Sequence, residues 1–413
     1  MNELTRRDFL KFGTLIAGSF LLDACVPNMQ PSEGQREVTK SYEVHDTRLG
    51  AENVQFARDG RMFVREADNQ YRAFFTRMVH GSVGTDQNNP VGWENAKAMG
   101  ANTVTMCFVD RDVVMQGIRD AGLKVVVQFE YLFPNMQYDK QTLVNFMEKY
   151  GDMVVGFSLD EPLTDRPQPG WDPANVKSLI SQFTTDCALP INIFTIGVTG
   201  SDSHARAQRR YLLDIIALAE RNDSKCVLLP DNYVDVPEKT RVTDDVLNIG
   251  IPGVTDPLEG IIIPAFSDKP DIPGDQIQIL RQTFAYALAN DHIFSLDFYD
   301  TPWDVSEYNF TGARVNGVTN AYGSTREVLT GLLTAIAKYE DINMAPMDIS
   351  QGGLKGCRRG DIISLFNESD QSRRGSVQLD PAKTYTDLLT GTTYHDVAEL
   401  ELTPYTGVVL LPG

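Results

Sequence analysis

Cationic residues are scarce in this sequence, and the deficit excludes a first class of partner. Only 37 Lys and Arg stand against 56 Asp and Glu, giving a formal net charge of −19 over 413 residues. A phosphate backbone needs a positive counterpart, so nucleic acid is not expected as a partner, whereas a neutral ligand is compatible. Histidine is rare too, with five residues and no His-x-His or His-Glu-x-x-His spacing, so no metal site is expected. The five cysteines include no CxxC pair, which removes the usual zinc and redox frameworks. There is no phosphate-binding loop, no nucleophile elbow and no Gly-x-Gly-x-x-Gly after the first strand candidate, and no cofactor is expected. Internal repeats and low-complexity tracts are missing as well. What remains is an ordinary folded composition, 42% hydrophobic and 23% charged.

The N-terminus reads as an address. Thr5-Arg6-Arg7-Asp8-Phe9-Leu10-Lys11 resembles the twin-arginine export motif, and the apolar run 12–22 that follows is too short and wrongly flanked for a membrane span. Leu22-Asp23-Ala24-Cys25 looks like a lipoprotein cleavage box, which would make Cys25 the lipidated first residue and the membrane a partner. Residues 1–25 are thus expected to be the signal, and the chain a periplasmic or cell-envelope lipoprotein exported across the bacterial inner membrane. Residues 26–50 are polar and breaker-rich at their start and are expected to form a tether. A protein exported folded from a reducing compartment should not need disulfides, so none among Cys107, Cys187, Cys226 and Cys357 is expected to be essential.

From residue 51 the period of the chain is informative. Val54-Gln55-Phe56 and Met62-Phe63-Val64 flank Asp59-Gly60, a hairpin signal. Strand-like runs then recur at 73–79, 103–109, 123–129, 154–159, 191–198, 226–229, 260–265 and 292–296. Helix-like segments lie between them, such as Ile277, Leu280, Phe284 and Leu288, or Val328, Leu329, Leu332, Leu333 and Ile336. Eight alternations over such a span predict an α/β fold, a (β/α)8 TIM barrel with an N-terminal β-hairpin over 51–344; an open doubly wound sheet is the competing arrangement. Over 345–413 short strands follow one another without helices, which predicts a small all-β sandwich domain.

The stretch around which the barrel is organised is Val154-Val155-Gly156-Phe157-Ser158-Leu159-Asp160-Glu161-Pro162. An apolar strand ends in two acids, and Pro162 cannot donate to a ladder, so the strand must stop there. Acids at the carboxyl end of a barrel strand stand on the rim that carries chemistry. While the strand stays extended, Asp160 and Glu161 cannot face the same way.

These residues resemble TIM-barrel glycoside hydrolases, clan A above all. Val155-Gly156-Phe157-Ser158-Leu159-Asp160-Glu161-Pro162 is similar to the clan's fourth strand, and Trp93-Glu94-Asn95-Ala96-Lys97-Ala98-Met99-Gly100-Ala101-Asn102-Thr103-Val104 to its first helix and second strand. Residues 281–290 look like the helix before strand eight, while Tyr385-Thr386-Asp387-Leu388-Leu389-Thr390-Gly391 and Pro404-Tyr405 resemble the β-sandwich that many such enzymes carry after the barrel. The resemblance implies a glycosidase acting on carbohydrate, with Glu161 as general acid/base. It breaks at strand seven, where the clan has a glutamate nucleophile and this chain has Ile261-Ile262-Ile263-Pro264-Ala265-Phe266-Ser267-Asp268.

The second carboxylate must therefore be sought elsewhere, because glycoside hydrolysis generally uses two. Asp231 ranks first, in Pro230-Asp231-Asn232-Tyr233, where Tyr233 adds an orienting phenol; Asp297 and then Asp268 follow, with Glu130 and Asp300 also near strand ends. Asp160 could instead orient an acetamido group for substrate-assisted cleavage. His80, ending strand one, is a candidate hydroxyl ligand, and Trp171, Trp303, Tyr308, Phe310 and Tyr322 in loops are candidate sugar platforms. The alternative from another class is a catalytically inactive carbohydrate-binding envelope lipoprotein on the same fold, since a fold alone does not prove activity.

Overall fold

Runs of Val, Ile and Phe buried on both faces belong in a parallel sheet covered by helices, because βαβ crossovers lay helices on the sheet. The computed structural model bears this out for the residues it describes: 46–57, 61–81, 91–98, 100–106, 111–160, 162, 172–195, 203–230, 258–266, 276–290, 293–298 and 321–413. The described residues form one compact unit. The fold is mixed α/β, with a parallel sheet curled until its two edges meet.

A small antiparallel sheet comes first, β1 Val54–Phe56, β2 Met62–Arg65 and β3 Tyr71–Ala73. The expected hairpin is present, with Val54 opposite Val64 and Phe56 opposite Met62. Its third strand was not anticipated: Ala73 belongs here, and the first strand of the parallel sheet is β4 Arg77–Gly81, starting four residues later than the pattern suggested. The break between the two falls at Phe74-Phe75-Thr76, inside the apolar run.

The parallel sheet continues with α1 Val91–Ala98, β5 Thr103–Met106, α2 Arg111–Asp120, β6 Lys124–Gln128, α3 Phe129–Leu132, α4 Lys140–Tyr150, β7 Val154–Asp160, α5 Pro173–Asp186, β8 Ile191–Thr195, α6 Ser203–Glu220, β9 Cys226–Pro230, β10 Leu258–Phe266, α7 Gln276–Ala289, β11 Ile293–Phe298 and α8 Ala321–Ala337. The eight strands β4 to β11 pair in the order β10-β11-β4-β5-β6-β7-β8-β9, and β10 closes on β9 through Leu258 opposite Val227. A described helix follows every strand except β9, whose sequel at 231–257 lies outside the described residues. Leu280, Phe284 and Leu288 are buried as their spacing required, and so are Leu332, Leu333 and Ile336. Tyr322 stands on α8, which begins at Ala321, and not in the preceding loop.

One side chain ties the first strands together. Asn102 Oδ1 accepts from Arg77 N (2.9 Å) and from Thr103 Oγ1 (3.0 Å), while its Nδ2 donates to Phe75 O (2.9 Å). Gly100 before it has φ +91°, and a Cβ there would lie 2.9 Å from the backbone of Leu333 in α8. This is the physical content of the Gly-Ala-Asn turn: it brings α8 against the first βα unit. Replacing Asn102 by Ala orphans a backbone donor and a backbone acceptor, and should cost about 2–4 kcal/mol of unfolding free energy, measured by denaturant titration.

The opposite, N-terminal end of the strands is covered by the first residues of the unit. Leu49 N donates to Asp186 O (2.9 Å) and Ala188 N to Leu49 O (3.0 Å). Arg48 Nη1 donates to Thr184 O (2.9 Å) and to Asn222 O. Asn53 Nδ2 donates to Val154 O (3.3 Å), and Lys124 Nζ reaches Arg65 O (3.4 Å). The plugged end is thus the base, and the carboxyl ends of the strands are left as the mouth.

After α8 come a six-stranded antiparallel sheet, β12 Met347–Asp348, β13 Lys355–Arg359, β14 Ile362–Phe366, β19 Gly407–Pro412, β16 Tyr385–Asp387 and β17 Thr393–Tyr394, and a two-stranded one, β15 Arg373–Gln378 with β18 Val397–Leu402. Residues of both sheets, including Ile363, Leu365, Val377, Leu400, Val408 and Leu410, bury one apolar core. α7 is welded to this region: Ser364 Oγ donates to Ala285 O (3.0 Å), Gly407 N to Gln282 Oε1 (2.7 Å), and Tyr286 meets Phe366 edge to face at 5.3 Å.

Cys187, Cys226 and Cys357 are free and buried; Cys107 lies outside the described residues. Burial pushes the thiols of Cys187 and Cys226 up to about 12. Because these values rise on folding, the protonated thiols add stability fully below the unfolded thiol's range, and that contribution is lost as pH climbs toward 12. All three should resist a thiol reagent at pH ~8 in the native state and react on unfolding, read by peptide mass mapping.

Candidate functional site

The packing of β7 tells its two faces apart. Phe157 packs outward, edge-on to Phe183 of α5 at 4.7 Å, and Phe129 lies 5.5 Å away. Alternation along the strand therefore turns Ser158 and Asp160 to the lumen. Asp160 is the last residue of β7, half-buried, with Oδ1 out of contact with solvent. Pro162, two residues on, is buried, consistent with a strand that stops here. Glu161 itself lies outside the described residues.

Glu130 is the second residue of α3, directly beyond β6, also half-buried with Oε2 out of contact with solvent. Its place is on a helical turn at the mouth and not on a strand. β11 and β4 pair so that Asp297 is opposite His80, which puts these two candidates in one register row near the carboxyl ends of adjacent strands. Their strand positions are described, their side chains are not. His80 is the penultimate residue of β4, Gly81 the last. Asp231, Tyr233, Asp268, Trp171, Trp303, Tyr308, Phe310, Asp300 and Cys25 lie outside the described residues. In sequence, Asp231 directly follows the last residue of β9 and Asp268 comes two residues after the end of β10.

Four polar residues here were not singled out from the sequence. Gln128 and Ser158 are opposite each other in β6 and β7, Asn192 of β8 is opposite Ser158, and Thr105 lies in β5; all four are buried. Asn192 Nδ2 donates to Phe157 O (3.2 Å). Each is a polar residue embedded in an apolar strand run, and the face it takes shows only once the packing of Phe157 on Phe183 is known. Among the described residues no three His, Cys, Asp or Glu come together as metal ligands, and no helix is long and apolar enough to cross a membrane. The arrangement can present carboxylates and neutral hydrogen-bonding groups to a ligand entering the mouth.

Neither family models nor curated proteins match the sequence. Solved structures give distant similarities. α-Galactosidase I from Mortierella vinacea is 10% identical, with 81% of this chain and 96% of that one covered and a TM-score of 0.42. The catalytic domain of a mannanase from Streptomyces sp. SirexAA-E is 14% identical, with 71% and 99% covered and a TM-score of 0.43. A truncated 3-deoxy-D-arabino-heptulosonate 7-phosphate synthase from Thermotoga maritima is 10% identical, with 64% and 86% covered and a TM-score of 0.37. At this level the likeness says nothing about chemistry, and these three proteins differ in theirs.

Proposed function

We propose that the chain is a glycoside hydrolase acting on a neutral oligo- or polysaccharide, with a (β/α)8 barrel and a C-terminal β-sandwich. Glu161 is the general acid/base and Asp231 the partner carboxylate, with Asp297 and Asp268 next in order. The observation that carries this is the position of Asp160. It ends β7 on the lumen face of a closed parallel sheet, and the acid that follows it is the one the glycosidase-like motif assigns to proton transfer. Parallel barrels carry their chemistry on that rim. Glu130 beyond β6, and the paired positions of Asp297 and His80, add groups able to hold sugar hydroxyls. The shared apolar core of the two C-terminal sheets supports the sandwich. Export through the twin-arginine motif and lipidation of Cys25 complete the proposal and would place the enzyme at the cell envelope.

One observation favours a second function, a non-catalytic sugar-binding protein on the same fold. β10 runs Leu-Glu-Gly-Ile-Ile-Ile-Pro-Ala-Phe and has no acid at its carboxyl end. Incubating the purified chain with a panel of neutral oligosaccharides, and following product release and binding together, separates the two. Release of shorter sugars supports the hydrolase; binding without release supports the binder; neither removes both.

A further inference from the structure

Below Asp160 the lumen holds a polar pair, Gln128 and Ser158, whose Nε2 and Oγ have no hydrogen-bond partner among the described residues. Gln128 and Ser158 face each other across β6 and β7 and are 3% and 0% exposed. Gln128 Nε2 and Ser158 Oγ are both sealed from solvent, and neither has a hydrogen-bond partner among the described residues. Buried polar groups are normally satisfied, because leaving water without a new partner is costly. Two such groups side by side in one row form a local excess of hydrogen-bonding capacity.

Their direction follows from the strand. Phe157 points out against α5, so Ser158 points in, and parallel register gives Gln128 the same side. Gln128 is also the last residue of β6, immediately before α3 and Glu130, so it lies at the mouth end of its strand. Gly156, one inward position deeper, lets Asn192 lie close against β7: a Cβ there would stand 2.7 Å from Asn192 Nδ2. Asn192, the third member of the row, already spends its amide on Phe157 O and fixes the row's edge.

We infer that Gln128 and Ser158 form the floor of a sugar site, donating from Nε2 and exchanging a hydrogen bond through Oγ with a neutral oxygen of the ligand, a hydroxyl or an acetamido carbonyl. The ligand group is neutral because the pair carries no charge and the next inward residue toward the mouth is Asp160. A carboxylate or phosphate would be desolvated there beside a like charge. The floor rests on the glycosidase function proposed above and names the part of that site that selects the sugar.

The test uses the full chain with Gln128→Met and, separately, Ser158→Ala, in steady-state kinetics on the best substrate of the panel and in thermal melting. Met keeps the length of Gln without its donor, and removing a polar atom that lacks a protein partner leaves melting unchanged or raises it. KM should rise about tenfold in Gln128→Met and about threefold to tenfold in Ser158→Ala, with kcat changing less, the pattern of a lost binding contact. Should Gln128→Met fail to fold, Ser158→Ala carries the same readout. KM within twofold of wild type in folded variants overturns the floor and assigns the pair to ordered water only. Wild-type chain that neither cleaves nor binds any sugar overturns the glycosidase function, and the floor with it.

Discussion

Glu161→Gln is expected to lower kcat/KM on an oligosaccharide by about a thousandfold while leaving the melting temperature unchanged. Gln has the shape of Glu and keeps a hydrogen-bonding end, but it has no proton to give. Proton transfer to a glycosidic oxygen by a placed carboxylic acid contributes on the order of 10²–10⁴-fold, and a sugar alkoxide leaves slowly without it. Asp160→Asn should cost less if Asp160 orients substrate and does not transfer a proton. Equal losses from the two would shift the acid role onto the pair. The measurement is initial rates for both variants at matched protein concentration, with circular dichroism to establish that each is folded.

The second large effect is on stability and belongs to the C-terminal sheets. Asp387 is 1% exposed at the end of β16. Its Oδ1 accepts from Val409 N (3.0 Å) in β19 and from Leu389 N (3.2 Å), and its Oδ2 from Thr390 Oγ1 (2.6 Å). The turn that follows closes with Gly391 N on Asp387 O at 2.8 Å, Gly391 having φ +76°. Asp387→Ala strands two buried backbone donors and should cost about 3–4 kcal/mol. For a unit of this size that lowers the melting midpoint by about 4 °C. Asp387→Asn keeps the Oδ1 acceptor and should lose about a third as much. The motif that resembled a glycosidase sandwich is therefore a turn whose acid serves the fold.

Most of the barrel could be read from the chain because β-branched runs of strand length alternate with helical spacing, and both signals are local. The strand expected at 154–159 is Val154–Asp160, and the one expected at 226–229 is Cys226–Pro230. The reading slipped where local signals overlap. Residues 71–79 hold parts of two short strands in different sheets, separated by Phe74-Phe75-Thr76, so the apolar run continues across the break. Among the C-terminal strands the pattern could not give the order: β12, β13 and β17 pair with sequence neighbours, but β19 adds to β14 some forty residues upstream. Within the candidate site, acids at strand ends were visible because a charge after an apolar run stands out. Gln128 and Ser158 were not, since a neutral residue inside a strand carries no sign of which face it takes until Phe157 is seen against Phe183.

Proton donation from Glu161 is tested most directly by the dependence on leaving group. Wild type and Glu161→Gln are compared on an alkyl glycoside and on a dinitrophenyl glycoside of the same sugar. A dinitrophenolate departs without protonation, so the variant should retain most of its rate on that substrate while losing about a thousandfold on the alkyl glycoside. An equal loss on both, or no loss on either, would contradict the role assigned to the acid that follows Asp160.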